Sequence, residues 1–125
     1  WDVWQGSTHK ELLTSSFDSS TWTHVVVTVS GNTMKVYKNG VLAGTKTDGH
    51  EPNVLTRTNH IIGAAEWGGM NYFMDGTIAY LKMWHGMELQ QAEVSALAAA
   101  RCFAGEFFSI SSGCSPCPLG SYSER

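Results

Sequence analysis

Alternation of hydrophobic and polar residues in the first half of the chain predicts three antiparallel strands joined by short turns. Val and Thr dominate residues 21–30, which end at a Gly-Asn pair. Alternating residues follow over 33–38 and 41–47, with Asn39-Gly40 between them. The Asn-Gly pair favours a type I′ turn, because both central residues of that turn need a positive φ. Two consecutive hairpins form a meander.

The middle strand of this meander has two faces of different character. The two alternating rows are Met34, Val36 and Lys38 on one side, and Thr33, Lys35 and Tyr37 on the other. Because successive side chains on a strand point to opposite faces, we expect one face to pack and the other to be wetter.

Residues 60–65 are predicted to form a short apolar strand, and weaker strand patterns cover residues 2–6 and 10–14. A longer pattern covers residues 73–84, where both alternating rows contain large apolar groups. We therefore expect this strand to be covered on much of both faces. The segments 48–58 and 66–72 are polar or contain Gly, and we expect them to be loops.

A helical pattern replaces the strand pattern between residues 88 and 101. Leu89, Val94 and Leu97 contribute to one apolar face, and the Ala, Gln and Glu around them are good helix formers. After this predicted helix the composition shifts to Gly, Ser, Phe and Cys. The shift predicts a domain boundary between residues 101 and 102.

Composition limits the classes of function. A chain of 125 residues with 42% hydrophobic and 15% charged residues is typical of one globular domain with a small appendage. The net charge of −3 argues against a nucleic-acid partner, which needs clustered Lys and Arg. No apolar run approaches the roughly 20 residues of a membrane span. The chain begins at Trp1 without a signal peptide, and we expect it to be part of a longer protein.

All three cysteines, Cys102, Cys114 and Cys117, lie in the last part of the chain. An odd number at one end suggests a disulfide module that lacks its last partner, and disulfides imply an oxidising compartment. A zinc site that uses the C-x-x-C at 114–117 stays an alternative, although zinc takes four ligands and only Cys102 lies nearby.

Two motifs resemble the laminin-G-like and pentraxin-like branch of the concanavalin A-like lectin/glucanase superfamily. The first is the W-x-H-V strand from Trp22, followed by a strand that ends at Asn39-Gly40. The second is Ile61-Ile62-Gly63, followed by the G-x-I-x-x-L-x-M-W segment from Gly76 to Trp84. Together with the helix pattern the resemblance covers residues 22–100.

This resemblance implies an all-β fold, an antiparallel β-sandwich of the jelly-roll type with one short C-terminal helix. We expect residues 1–101 to form the C-terminal portion of such a jelly roll, because the family has more strands than the pattern predicts here. The sandwich is therefore expected to be incomplete at its N-terminus.

The tail resembles the start of an ephrin-receptor-like cysteine-rich module over residues 102–125. The resemblance lies in C-x-x-G-x-F from Cys102 and in C-x-x-C-x-x-G-x-Y from Cys114. It implies a Cys102–Cys114 disulfide, with Cys117 paired to a cysteine beyond Arg125. Both resemblances imply a modular extracellular or cell-surface protein, secreted or the ectodomain of a membrane protein.

The distribution of acidic residues predicts that this segment is not an enzyme. Glycoside hydrolases on this fold need two carboxylates that flank the scissile bond. The acids here are scattered, at Glu51, Glu66, Asp75, Glu88 and Glu93, and none pairs along one strand face. No histidine motif for metal or nucleophilic chemistry occurs either.

The glycine-containing loop after the Ile-Gly strand holds the candidate ligand-binding residues, Glu66, Trp67, Asn71 and Tyr72. Aromatic faces stack on sugar rings, and amides bond to sugar hydroxyls. Alanines and Trp stand where pentraxins carry calcium ligands, so that calcium site does not carry over. Glu66, Asn71 and Asp75 remain candidates for a different calcium site. No other cofactor is expected.

Three hypotheses about function follow. We favour a non-catalytic recognition module for a glycan or an extracellular protein ligand, held among neighbouring modules of the same chain. The alternatives are a structural adhesion spacer without its own ligand, and a fragment of a secreted glycan-cleaving enzyme whose acidic strand lies upstream.

Overall fold

The computed structural model describes residues 1–17, 20–56, 61–67, 70–100, 106–109 and 113–116. Only the backbone is described at 65–67, 70–72, 106–109 and 113–116. The chain divides into two units, residues 1–53 with 86–125 and residues 54–85.

The described strands are all antiparallel, and the chain is mostly β with one short helix, which confirms the predicted fold class. The strands are β1 Asp2–Gln5, β2 Thr8–Glu11, β3 Val25–Ser30, β4 Thr33–Lys38, β5 Val41–Lys46, β6 Ala64–Trp67, β7 Met70–Phe73, β8 Glu106–Ser109 and β9 Gly113–Pro116; the helix α1 is Gln91–Ala99. Strands β3, β4 and β5 form a three-stranded sheet in that order, and the other strands pair as the hairpins β1–β2, β6–β7 and β8–β9.

The first core lies on the sheet face to which β4 contributes Met34 and Val36. Both side chains are buried, and they pack with Val3 and Leu12 from the β1–β2 segment. The alternation of residues in β4 predicted one packed face, since residues two apart on a strand share a face, and Val29 of β3, the register partner of Met34, packs against this core.

The second core lies on the opposite face of the same sheet. The prediction that one of the two faces would be wetter is therefore wrong at Tyr37, which is only 3% exposed. Tyr37 and its β3 partner Val26 pack against Leu89, Val94 and Leu97, so α1 and the segment before it cover this face. The alternation of residues within one strand cannot show that a helix some 50 residues later packs against that strand.

The turn between β4 and β5 joins the sheet to the helix. Asn39 has φ 49° and Gly40 has φ 82°, as a type I′ turn requires. The Gly40 carbonyl accepts hydrogen bonds from Gln91 Nε2 at 2.6 Å and from Ser95 Oγ at 3.1 Å. A Cβ on Gly40 would lie only 3.0 Å from Ala98 Cβ. Glycine is therefore required both by the backbone angle and by the close approach of α1.

The helix begins three residues later than its predicted start at 88. The backbone N–H of Gln90 donates to Glu93 Oε2 at 2.6 Å, which satisfies a polar group at the N-terminus of α1. Glu88 lies before this cap and makes an ion pair with Lys35 instead. The apolar pattern in the sequence begins before the helix does, because Leu89 lies outside α1 and is nevertheless buried in the second core.

The unit of residues 54–85 differs from the prediction in three places. The strand predicted over 60–65 is absent at 61–63, since β6 begins at Ala64. In the segment 66–72, predicted to be a loop, residues 66–67 belong to β6 and residues 70–72 to β7. The predicted strand 73–84 is absent, since β7 ends at Phe73 and no strand occupies 74–85. Its large apolar residues are exposed, Met83 by 83%. The apolar pattern is present in the sequence, but a strand forms only where a neighbouring strand pairs with it.

The tail is described only as the β8–β9 hairpin, in which Cys114 pairs with Phe108. Cys102 and Cys117 lie outside the described residues, as does the predicted Cys102–Cys114 bond. The boundary at 101/102 stays a prediction.

Candidate functional site

The β6–β7 hairpin contains all four residues predicted to bind a ligand. The register pairs Glu66 directly with Asn71, Trp67 with Met70, and Ala65 with Tyr72. Because residues alternate between the faces of a strand, Glu66 and Asn71 share one face of the hairpin, and Trp67 and Tyr72 share the other. The backbone thus brings the four together as two pairs on opposite faces, and their role as ligand contacts stays a prediction.

The third calcium candidate, Asp75, is exposed and follows β7 by two residues. Among the residues that the structure describes, no group of three or more His, Cys, Asp or Glu residues could hold a metal ion. A calcium site at Glu66, Asn71 and Asp75 therefore stays a prediction that would need backbone carbonyls or water as further ligands.

A second cluster, on the outward face of β1–β2, was not singled out by the sequence analysis. The rings of Trp4 and His9 stack with centroids 4.6 Å apart and planes inclined by 21°. Trp4 Nε1 donates to Asp2 Oδ2 at 2.6 Å, and the register pairs Asp2 with Glu11. We call these four residues the outer hairpin face. The only trace of this cluster in the sequence is the alternation of Asp2 and Trp4 with the apolar Val3. A strand alone explains that alternation, so it did not indicate a functional site.

The segment after β5 ties the edge of the sheet to its neighbours. Asp48 accepts from Lys46 at 3.0 Å and from Lys10 at 3.2 Å. These bonds, that from Lys46 first, lower the pKa of Asp48 from 3.8 to about 2. His50 Nε2 contacts the Val3 carbonyl at 2.7 Å. The start of the predicted polar loop 48–58 therefore holds β1–β2 to the sheet.

Two further acids of the sequence analysis also make structural contacts. Glu51 Oε1 accepts from the backbone N–H of Gly31 at 2.7 Å, in the β3–β4 turn. Glu88 Oε1 lies 2.7 Å from Lys35 Nζ, and this half-buried ion pair raises the pKa of Lys35. With Glu93 at the start of α1, three of the five scattered acids serve the fold.

A shallow apolar groove of about 350 Å³ lies beside the first core. Its lining comprises Trp1, the segment from Leu12 to Phe17, and Val25, Val27 and Val36. Lys38 crosses one end, where its Nζ contacts the carbonyl of Ser15 and lies 4.8 Å from the ring of Phe17. The groove carries no titratable pair that would suggest chemistry.

Comparison with known proteins identifies the fold. The family model of laminin-G type, described as the concanavalin A-like lectin/glucanases superfamily, matches residues 1–95. A crystal structure of an S-layer domain-containing protein from Clostridium thermocellum ATCC 27405 is similar, with a TM-score of 0.60 and 25% identity. The similarity covers 68% of this chain and 42% of that one, so the chain spans less than half of that structure's length. No curated protein matches the chain.

These findings bear on each resemblance separately. The similarity to an S-layer domain-containing protein is compatible with a location of this chain at the cell surface. No helix among the described residues is long and apolar enough to cross a membrane. The comparisons do not support the ephrin-receptor-like resemblance of residues 102–125, which stays a prediction. The laminin-G resemblance is confirmed, and its match extends to Trp1: the chain belongs to the concanavalin A-like lectin/glucanases superfamily.

Proposed function

We propose that this domain is a non-catalytic recognition module that binds a glycan or a protein ligand within a larger extracellular or cell-surface protein. Family membership supports a binding role in general. The observation that carries the proposal is the pairing in β6–β7, which supports Trp67 and Tyr72 as an aromatic pair and Glu66 and Asn71 as a polar pair.

This composition suits a sugar ring. The C–H face of a pyranose stacks on an aromatic side chain, and a carboxylate or amide at the rim of the site bonds to its hydroxyls. A two-faced hairpin can offer only one such pair to one ring. We therefore propose Trp67 as the principal contact, with Tyr72 beside it, and Glu66 and Asn71 as contacts to a second sugar or to calcium.

Acidic residues support the non-catalytic part of the proposal. A glycoside hydrolase keeps two carboxylates about 5–9.5 Å apart around an open cleft. Glu51, Glu88 and Glu93 instead bond to Gly31, Lys35 and Gln90 in turn or helix contacts. A carboxylate that is committed to the fold is a poor candidate for an acid or base that must change its protonation state.

A glycan array, run with and without calcium on the 125-residue chain, tests this function. We expect selective binding that Trp67→Ala abolishes. Trp22→Ala is the control, since Trp22 is an exposed tryptophan, at 69%, outside the hairpin. It should leave binding unchanged. Circular dichroism of both variants would show whether each keeps the fold.

Each other outcome selects an alternative. A blank array from a folded protein, with Trp67→Ala affecting stability alone, would contradict glycan binding and favour a spacer or a protein ligand. Loss of binding in a chelator would support calcium at Glu66, Asn71 and Asp75. Release of shorter sugars from an arrayed glycan would show catalysis and overturn the non-catalytic proposal.

A further inference from the structure

The turn between β4 and β5 combines a reactive dipeptide with a tightly packed backbone. Of the five asparagines in the chain, Asn39 is the one that a glycine follows. The backbone nitrogen of a following glycine, which no side chain shields, attacks an asparagine carboxamide more readily than that of any other residue. Asn39 is exposed to solvent, while Gly40 is buried against α1. The sequence thus favours deamidation at a position that the fold holds in place.

Deamidation of such a pair proceeds through a cyclic imide. The backbone nitrogen of Gly40 bonds to Cγ of Asn39, the Cγ–Nδ2 bond breaks, and the amide leaves as ammonia with the proton that the nitrogen has lost. Water then opens the imide at one of its two carbonyl carbons. Cleavage at Cγ gives aspartate, and cleavage at the backbone carbonyl gives isoaspartate, in which the chain runs through Cβ and Cγ. Water is the only co-reactant.

The backbone angles of the folded turn oppose closure of the imide ring. Closure needs the Gly40 nitrogen to eclipse Cβ of Asn39 about the Cα–C bond. Asn39 has φ 49° and Gly40 has φ 82°, as in a type I′ turn, whose first central residue has ψ of about 30°. At that ψ the nitrogen lies on the far side of the Cα–C bond from Cβ. The reaction therefore requires the turn to open.

Contacts on both sides hold the turn closed. The Asn39 side-chain oxygen accepts a hydrogen bond from the His24 backbone N–H at 2.9 Å, which fixes the carboxamide. The Gly40 carbonyl accepts from Gln91 Nε2 at 2.6 Å and from Ser95 Oγ at 3.1 Å. A rotation that brings the Gly40 nitrogen toward Cγ also moves Gly40, and a Cβ built there would already lie 3.3 Å from Ser95 Cα. Helix α1 thus restrains the atom that must attack.

The two products differ in whether they fit this turn. Aspartate keeps a side-chain oxygen for the His24 N–H and is favoured, like asparagine, in type I′ turns. Isoaspartate adds one carbon to the backbone between the paired residues Lys38 and Val41, so the two-residue loop no longer has its length. The position of Gly40 against α1 changes with it. Isoaspartate therefore breaks the contact that aspartate preserves.

We propose that Asn39 is a deamidation site that α1 protects, and that its conversion to isoaspartate permanently releases the turn from the helix. Each opening of the contact permits the reaction, so isoaspartate accumulates with the age of the protein. Because α1 covers Val26 and Tyr37 in the second core, its release exposes them. The modification acts on the lifetime of the sheet unit and is independent of the proposed ligand site.

Mass spectrometry of the aged protein tests the site. The 125-residue chain is incubated at mildly alkaline pH in native buffer and, in parallel, in guanidinium chloride, and chymotrypsin releases the peptide 38–42. We expect this peptide to deamidate at least about tenfold more slowly in native buffer, because the folded chain must first open locally. Asn32 in the β3–β4 turn precedes Thr33 and is the internal control, which should change little in either solvent.

Variants measure the protection by the helix. The double variant Gln91→Ala, Ser95→Ala removes both hydrogen bonds to the Gly40 carbonyl and introduces a good helix former. We expect it to deamidate about threefold faster in native buffer. Leu13→Ala changes an exposed leucine outside α1 and should leave the rate unchanged. Circular dichroism would show that both variants are folded.

Hydrogen exchange measures the release of the helix. Fragmentation of the peptide 38–42 distinguishes isoaspartate from aspartate, and chromatography separates the modified chains. We expect chains with isoaspartate to lose amide protection over α1, whereas Asn39→Asp, which reproduces the other product, should keep it.

Four results would overturn the proposal. The peptide 38–42 could stay unmodified in guanidinium chloride, deamidation could be as fast in native buffer, the double variant could react no faster than the wild type, or isoaspartate could leave the protection of α1 intact. None of them bears on the glycan array with Trp67→Ala, so failure of one proposal is separable from failure of the other.

Discussion

At the scale of single residues, two positions of the motif that resembles the family, His24 and Asn39, contact each other through hydrogen bonds at a turn. Asn39 Oδ1 accepts from the backbone N–H of His24 at 2.9 Å, and the Asn39 N–H donates to the His24 carbonyl at 2.8 Å. Asn39 thus closes the start of β3 against the β4–β5 turn, while Gly40 admits α1. These motif positions carry the architecture of the sheet.

The titration of Asp48 is the prediction at this scale. Its hydrogen bonds to Lys46 and Lys10 favour the charged form, so the pKa falls to about 2. A depressed pKa in the folded state means that the contribution of this carboxylate to stability is present above about pH 4 and is lost as the pH falls through 2. An NMR pH titration of the Asp48 carboxyl should have its midpoint near 2.

Variants assign the cause of this shift. Lys46→Met should raise the midpoint more than Lys10→Met, since the bond from Lys46 is the larger cause. A midpoint that stays near 3.8 in the wild type would mean that these ion pairs do not persist in solution. Because Asp48 is exposed, we expect little change in global stability from either variant.

At the scale of elements, the three-stranded sheet is packed on both faces. The β1–β2 segment covers one face through Val3 and Leu12, and α1 covers the other through Val94 and Leu97. The half-buried Lys35–Glu88 pair ties β4 to the segment before α1. The helix is short, so its stability comes from this packing more than from intrinsic propensity.

Truncation of the helix contact should therefore destabilise the whole sheet unit. Leu97 is 5% exposed, and we expect Leu97→Ala to lower the free energy of unfolding by about 2–5 kcal/mol, through lost burial and the cavity left behind. Leu13→Ala is the matched control, since Leu13 is 74% exposed and should change it by about 0.5 kcal/mol or less. Equal effects in urea denaturation would contradict the packing of α1.

Prediction of these elements from sequence succeeded where the signal is local. Strand β4 has its predicted bounds of 33–38, and the Asn39-Gly40 turn has the expected angles. In the candidate site, the sequence identified residues 66–72 but not their pairing as a hairpin. The four-residue strands β6 and β7 are too short for a period to be read, and pairing depends on the partner strand.

At the scale of the whole molecule, the two units differ in how well they bury apolar residues. The unit of 1–53 with 86–125 contains both cores. Among the side chains that the structure describes in the unit of 54–85, most of the large apolar ones are exposed, including Phe73 by 76% and Leu81 by 58%. Exposed apolar segments of this size are typical of surfaces that another molecule or element covers.

Hydrogen exchange should distinguish the two units. Amides of β3 and β4 lie in a paired sheet, so we expect strong protection there. Residues 77–84 have no strand or helix, and their amides should exchange nearly as fast as in a free peptide. Mass spectrometry of peptic fragments measures both. Protection over 77–84 equal to that of β4 would show that this segment is a strand in solution, as its alternating pattern predicts.

What the sequence by itself determined is the set of local elements: the β meander, its turn and the presence of one helix. These follow from side-chain period, turn chemistry and propensity, which act over a few residues. Tertiary structure alone decided that α1 covers the second face of the sheet, that β6 pairs with β7, and that Asp2, Trp4, His9 and Glu11 share one face. Each of these depends on contacts between segments that are separate in the chain, and no local sequence pattern specifies which segments contact each other.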